Sequence, residues 1–163
     1  MDNYVVIDVE TSGLSPDNSE IIKLSALKIL KGKISERISK LVKPTKPLTA
    51  EIENLTGITN EDLNEECLIN DLLLDFLIFI GDNTLVAHNI DFNVKFISTA
   101  LKKANMPPLK NKTVDTLSLV RDKYKANSFS LRSVAKLLGV SYKNLTDCEI
   151  VFQVCEKLKE DYV

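Results

Sequence analysis

The spacing of apolar residues divides the chain into alternating strand and helix segments. Residues 4–9 form an apolar, β-branched run, which predicts a buried strand. Residues 21–30 and 34–42 are loosely alternating segments on either side of Lys31-Gly32-Lys33, a pattern that predicts a hairpin. Between Leu68 and Ile80 the apolar residues recur at helical spacing, which predicts an amphipathic helix over 69–80 that Gly81 ends.

Capping residues and shorter apolar runs predict the other elements. Thr49 is expected to cap a short helix that ends at Thr56-Gly57, and Ser130 to cap a helix over 131–138 that ends at Gly139. The other predicted segments are strands at 84–87 and 113–114 and helices at 91–104, 116–124 and 145–159. A strand and hairpin followed by alternating helices and short strands is typical of a mixed α/β fold. We expect residues 1–163 to form one domain, since no linker divides them.

Composition places the chain among ordinary globular proteins, with 44% hydrophobic and 27% charged residues. Three cysteines without a CxxC pair favour a reduced, cytoplasmic protein over a secreted one. The first ten residues lack the basic and apolar stretches of a signal peptide. The most apolar segment, 68–80, is shorter than the roughly 20 residues that span a bilayer and carries Asp71 and Asp75. We therefore expect no membrane association.

Charge is distributed unevenly although the formal net charge is only −2. Residues 47–94 contain ten acids and no Lys or Arg, whereas residues 95–143 contain eleven bases and two acids. One interpretation is a basic surface that follows a phosphate backbone. The other is a set of solvated helix faces without a binding role.

Two carboxylates in the first predicted strand are candidate metal ligands. Asp8 and Glu10 share one face, about 6.5 Å apart along the strand, while Val5, Ile7 and Val9 occupy the other face. An unpaired carboxylate in an apolar strand is costly, and a hard cation such as Mg²⁺ is a natural partner. The alternatives are a solvated face or pairing with Lys or Arg.

Two later segments could meet these acids. Asp147 begins an apolar stripe along the last predicted helix, so its carboxylate should point inward, although an acid in a first turn also stabilises the helix dipole. Residues 88–93 lie at a strand-to-helix junction, where ligand sites of α/β proteins often form. Two residues turn a helix by about 200°, so Asp91 should face away if Asn93 faces the site.

These motifs resemble those of a known family. VIDVETSG at residues 6–13 resembles the first motif of DEDD-type (DnaQ-like) 3′–5′ exonucleases, and LVAHN at 85–89, leading into Phe92, resembles the second. Asp115 and Asp147 follow in the family's order, and LTGIT at 55–59 is similar to a segment of the proofreading exonuclease domain of bacterial DNA polymerase III. The resemblance covers nearly the whole chain. It implies an RNase H-like fold, with a five-stranded mixed sheet flanked by helices.

The resemblance also implies a chemistry. Members of the family hydrolyse the terminal phosphodiester with two Mg²⁺ or Mn²⁺ ions, and the matching metal ligands here are Asp8, Glu10 and Asp147. Substrates would be 3′ ends of single-stranded DNA or RNA, with DNA favoured, and a DNA polymerase subunit is an expected partner. The matching substrate-binding positions are Thr11, Leu14, His88, Asn89 and Phe92.

Two positions depart from the family's catalytic pattern. Asn93 stands where the second motif has an aspartate, and its neutral carbonyl should weaken the second metal site. Tyr142 stands where the histidine subgroup has its general base, and a neutral tyrosine is a poor base at neutral pH, although it could orient a water. Three hypotheses follow. The protein is a slowed exonuclease, or it is a degenerate relative that binds nucleic-acid ends or a protein partner without cleavage. In the third, Asn93 is an engineered substitution that traps substrate.

Overall fold

A computed structural model describes residues 2–160 as one sheet covered by helices. The strands of this part of the chain are Tyr4–Thr11 (β1), Ile21–Leu30 (β2), Lys33–Leu41 (β3), Leu85–Ala87 (β4) and Thr113–Asp115 (β5). Its helices are Ala50–Thr56 (α1), Asn60–Leu63 (α2), Ile69–Ile80 (α3), Ile90–Lys103 (α4), Thr116–Lys123 (α5), Leu131–Leu137 (α6) and Asp147–Glu160 (α7). None of the helices in this range is long and apolar enough to cross a membrane.

The sheet has five strands in the order β3-β2-β1-β4-β5. Strands β2 and β3 run antiparallel to their neighbours, whereas β4 is parallel to β1 and β5 is parallel to β4. The predicted five-stranded mixed sheet flanked by helices is therefore confirmed. Its central strand is β1, which bonds to β2 on one side and β4 on the other.

Strand β1 is covered on both faces. Val5, Ile7 and Val9 belong to an apolar cluster with residues of α3 and α4. Tyr4 and Val6 belong to a second cluster, formed with α7. Since side chains alternate along a strand, the residues that follow on the α7 side are Asp8 and Glu10.

Local turn chemistry explains why the hairpin and the first helix match their predictions. The β2–β3 turn has positive φ at both central residues, Lys31 (52°) and Gly32 (71°), as a type I′ turn requires. The Thr49 side chain accepts a hydrogen bond from the Ile52 amide at the start of α1, and Gly57 ends that helix at φ 72°. Helix α2 was missed, because four residues are too few to show a periodicity.

The start of α7 differs from its prediction by two residues. The helix begins at Asp147 because Thr146 caps it: the Glu149 amide donates to Thr146 Oγ1, and the Thr146 amide donates to the Glu149 carboxylate. Asp147 is consequently the first residue of α7. The other predicted elements agree with the structure to within two residues at each end.

The core assignment can be tested with two adjacent leucines of α3. Leu73 is fully buried, whereas Leu74 is 59% exposed. We expect Leu73→Ala to lower the free energy of unfolding by about 2–5 kcal/mol, because it leaves a cavity. Leu74→Ala should change it by less than about 0.5 kcal/mol. Urea denaturation measures both, and equal losses would contradict this packing.

Candidate active site

Three carboxylates from two elements meet at one end of the sheet. Asp8 and Glu10 come from β1, and Asp147 comes from the first turn of α7. One carboxylate oxygen of each lies within 4.8 Å of those of the other two. Asp8 and Glu10 are partly buried and Asp147 is exposed, so the cluster opens to solvent on the side of α7. The inward orientation expected for Asp147 brings it to the two strand acids.

Burial and neighbouring charges raise the pKa values of the two strand acids. Burial, followed by the charges of Glu10 and Asp147, raises the pKa of Asp8 to about 7. Burial and the charge of Asp147 also raise the pKa of Glu10. Three acids held this close are therefore unfavourable in the fully ionised state unless a positive charge joins them.

The donor set fits a hard divalent cation. Carboxylate oxygens are the ligands that Mg²⁺ and Mn²⁺ prefer. Within residues 2–160, no Lys or Arg nitrogen lies within 4.0 Å of an oxygen of these three acids. Within the described residues, the three acids therefore form no direct ion pair with Lys or Arg, which was the alternative to metal binding. Asp8, Glu10 and Asp147 are the residues that would hold the metal.

One positive side chain does lie in the electrostatic range of the cluster. Lys23 on β2 is the register partner of Glu10, so the two side chains are on the same face of the sheet. Its charge lowers the pKa of Asp8 and of Glu10, opposing the stronger effects of burial and of the neighbouring acids. Sequence reasoning missed Lys23, since nine residues separate β1 from β2 and the register cannot be counted across such a loop.

Asn93 is buried and engaged by both ends of its amide. The Val9 amide donates to Asn93 Oδ1 at 2.9 Å, and Asn93 Nδ2 donates to the Asn89 carbonyl at 3.2 Å. The side chain therefore fixes β1 between its two acidic residues. Asp91 is exposed, which confirms the expectation that it faces away from Asn93.

Asp115 fixes the turn that carries Asn89, a role the sequence did not reveal. Its Oδ1 accepts hydrogen bonds from the Asn89 amide at 2.8 Å and from the Leu117 amide at 3.1 Å. It thereby caps α5 and holds Asn89, whose φ of 68° is in the left-handed region. The only available signal was its position before a helix, where aspartate is a common cap.

His88 ties three segments together rather than standing free. Its Nδ1 lies 3.0 Å from Thr116 Oγ1, and its Nε2 lies 2.7 Å from the Phe129 carbonyl oxygen, to which it must donate. His88 is the only histidine of the chain. The imidazole is thus occupied in holding β4, α5 and the loop before α6, and it is not placed to serve as a base.

The end of β1 and the loop after it carry the expected substrate-binding residues Thr11 and Leu14. Thr11 Oγ1 donates to the Gly13 carbonyl at 2.6 Å, which stiffens the turn. Leu14 follows and is 86% exposed, the most exposed of the large apolar side chains in the described chain. Its role in binding a base or a sugar, like that of Thr11, stays a prediction.

Phe92 and Tyr142 are both partly buried. The Phe92 ring packs against the cluster of α3, α4 and β1, with its centroid 4.9 Å from that of Phe96. Tyr142 packs against an apolar cluster formed by residues of α5, α6 and α7. Packing therefore holds both rings at the border of the core, and their expected roles in substrate binding and catalysis stay predictions.

Comparison with known proteins decides the family. The sequence model of the family described as "Exonuclease" matches residues 5–155, nearly the whole chain. The chain belongs to this family. The predicted class, a metal-dependent exonuclease related to DNA polymerase III proteins, is the class to which these comparisons assign it.

Relatives among bacterial polymerase proteins agree with this assignment. The DNA polymerase III subunit epsilon of Aquifex aeolicus is 32% identical over 163 residues, which cover 97% of this chain and 81% of that protein. The PolC-type DNA polymerase III of Thermotoga maritima is 36% identical over 155 residues, 93% of this chain. The chain spans only 11% of that polymerase.

Solved structures confirm the RNase H-like exonuclease fold. Exonuclease X in complex with 5′ overhanging duplex DNA superposes with a TM-score of 0.78 at 20% identity, covering 97% of this chain and 92% of that one. Apo exonuclease I superposes with a TM-score of 0.86 at 15% identity, covering 98% of this chain and 42% of that one. At these identities the likeness concerns the fold alone.

The electrostatics of the cluster predict how stability depends on pH in the metal-free protein. The pKa of Asp8 in the folded state, about 7, exceeds its unfolded value of about 3.9. The folded protein therefore retains a proton that the unfolded chain releases, so the free energy of unfolding should fall as pH rises from about 4 to 7. Asp8→Asn should reduce that fall by on the order of 2 kcal/mol, allowing for screening of a partly exposed group.

Chemical denaturation in EDTA at pH 5 and pH 8 measures this difference. Asp122→Asn is the matched control, since Asp122 is exposed on α5. An Asp8→Asn protein with the same pH dependence as the wild type would contradict a raised pKa of Asp8 in the folded state.

The bonding of Asn93 predicts that an aspartate at this position destabilises the metal-free fold. Asn93→Asp removes the donor to the Asn89 carbonyl and places a buried charge 3.2 Å from it. We expect a loss of about 1–3 kcal/mol at pH 8. Urea denaturation in EDTA measures it, with Asn127→Asp, at an exposed loop position, as the control. Unchanged stability of Asn93→Asp would show that the amide donor is dispensable.

Proposed function

We propose that this chain is a 3′–5′ exonuclease that hydrolyses the terminal phosphodiester of single-stranded nucleic acid, with DNA preferred. The observation that carries the proposal is the convergence of Asp8, Glu10 and Asp147 within 4.8 Å in a chain of the exonuclease family. The fold brings together carboxylates that are more than a hundred residues apart in sequence, although their like charges repel each other. Such an arrangement suits the binding of a cation better than it suits stability.

The roles of the protein groups follow from their positions. A divalent cation, Mg²⁺ or Mn²⁺, would neutralise the phosphate charge and acidify a water. Asp8, Glu10 and Asp147 hold it. The Asn93 amide keeps β1 in place, because it accepts the hydrogen bond of the Val9 amide between the two strand acids. We infer that Asn93 acts through this bond rather than as a metal ligand.

We propose that the terminal nucleotide lies between the β1 loop and the start of α4. Leu14 would pack against its base, with Thr11 beside it and Phe92 at the border of the core. His88 and Asn89 would form the other wall, held by Thr116 and Asp115. Tyr142, in the loop before α7, would lie at the solvent-exposed side of the site and orient a water.

A role beside a polymerase is part of this proposal. The relatives from Aquifex aeolicus and Thermotoga maritima are DNA polymerase III proteins. On that likeness we propose that the chain removes nucleotides from 3′ ends near a bacterial DNA polymerase, in the cytoplasm. Its basic stretch, residues 95–143, would carry the rest of the strand.

One alternative is supported by specific observations. Both amide atoms of Asn93 are used within the protein, and the only imidazole, that of His88, is bonded at both nitrogens. A site with these two features could bind a nucleic-acid end, or a protein partner, without cleaving a phosphodiester. This second candidate differs from the first only in turnover.

A time course with 5′-labelled single-stranded DNA and RNA, in Mg²⁺ and separately in Mn²⁺, tests the proposal. We expect a ladder that shortens from the 3′ end, with DNA degraded faster than RNA. Asp8→Ala should lower the rate by about 100-fold or more, because it removes a ligand from the cation that stabilises the transition state. Asp91→Ala is the matched control and should cut like the wild type, since Asp91 is exposed and faces away.

If the wild-type protein cleaves neither oligonucleotide in either metal, the proposal that it hydrolyses phosphodiesters is rejected. Binding of the same oligonucleotides at their 3′ ends would then favour the alternative. If the double variant Asn93→Asp/Tyr142→His cleaves the oligonucleotides and the wild type does not, the lack of activity is due to those two positions.

A further inference from the structure

Lys23 is placed at the acidic site by the register of the sheet. It lies directly opposite Glu10 in the antiparallel β1–β2 pair, and Ser25 lies opposite Asp8. Directly opposite residues of such a pair have side chains on one face, with Cβ atoms about 4.5–5.5 Å apart. The lysine is therefore a fixed neighbour of the carboxylates, held by the backbone of two central strands.

The ammonium of Lys23 has no hydrogen-bond acceptor among residues 2–160. In the described part of the chain it makes no hydrogen bond, and no carboxylate oxygen lies within 4.0 Å of it. The residue is nonetheless partly buried. An ammonium carries three donors, so this one can bind an anion that enters the site. The protein thus presents a positive group to a site without supplying the anion that would bind it.

Charge balance at the site accommodates one divalent cation. Three carboxylates and one ammonium leave a charge of −2, which a single Mg²⁺ or Mn²⁺ neutralises. Among residues 2–160, no fourth carboxylate joins the cluster to hold a second cation. Asn93 offers only a neutral amide there, and both of its polar atoms are already bonded.

We propose that Lys23 takes the part of a second cation at this site: its ammonium binds a phosphate oxygen of the terminal nucleotide, beside one divalent metal ion. This inference rests on the proposed function, because it names how that same site binds its substrate. A charge-assisted hydrogen bond from an ammonium to phosphate is stronger than a neutral one. Strand pairing places the backbone of Lys23 at the site before the substrate arrives. In this role Lys23 binds the phosphate and transfers no proton.

The test measures binding rather than turnover. Isothermal titration gives the affinity and number of Mn²⁺ ions per chain, alone and with thymidine 5′-monophosphate, and then the affinity of that nucleotide in saturating Mn²⁺. The variants are Lys23→Gln, Lys23→Arg and, as the matched control, Lys40→Gln. Lys40 is exposed on β3 and borders Leu72 and Phe76 of α3, so the same charge is lost on the opposite face of the sheet.

The proposal predicts changes of opposite sign in one variant. Lys23→Gln should bind Mn²⁺ roughly tenfold more tightly, since a repelling charge is gone. It should bind the nucleotide roughly tenfold more weakly, since the phosphate loses its ammonium. Lys23→Arg and Lys40→Gln should behave as the wild type. The wild type should bind one Mn²⁺ per chain even with the nucleotide present. The affinity for thymidine, which has no phosphate, should be the same in all variants.

Other outcomes overturn the proposal. Two Mn²⁺ ions per wild-type chain would show that Lys23 does not stand in for a metal. Tighter Mn²⁺ binding by Lys23→Gln with unchanged nucleotide affinity would mean that the lysine only screens Glu10. If Lys23→Gln does not fold, Lys23→Met, which keeps the aliphatic stem, provides the same comparison. Failure of the wild type to bind Mn²⁺ at all would instead count against the proposed function.

Discussion

The structure depends on the way β1 is buried. Its apolar residues fill both sides of the sheet, toward α3 and α4 on one face and toward α7 on the other. A strand enclosed in this way cannot shift its register without exposing one apolar set, so its position is strongly specified. Asp8 and Glu10 are therefore held as rigidly as the core itself. The energy that stabilises the sheet is what keeps the two like charges close together.

A chain of hydrogen bonds carries this precision to the neighbouring elements. Asp115 holds the Asn89 turn, the turn begins α4, and Asn93 on α4 accepts the amide hydrogen of Val9. Each of these side chains bonds to backbone, so each fixes a main-chain position rather than only another side chain. The position of β1 relative to α4 and α5 consequently does not depend on a bound metal. Strand pairing likewise fixes the backbone position from which the Lys23 side chain extends.

The features that could be predicted from sequence are those with local causes. Alternation along a strand put Asp8 and Glu10 on one face, and helical rotation separated Asp91 from Asn93, since both follow from backbone geometry within a few residues. The approach of Asp147 to the strand acids needed the family resemblance, because periodicity could only suggest that it points inward. Lys23 and the bonds of Asp115 were not accessible, since they depend on a register and on a contact between distant segments. The occupation of both nitrogens of His88 was hidden for the same reason.

The separation of the three acids along the chain has a consequence for synthesis. Asp8 and Glu10 leave the ribosome with the first strand, whereas Asp147 follows more than a hundred residues later. At about 5–20 residues per second, that interval lasts on the order of ten seconds. During this time the nascent chain offers two of the three carboxylates, and α7 has not yet docked. A chain built in this order acquires its complete acidic cluster only after its sheet has been made, so the proposed hydrolysis would be coupled to completion of the fold.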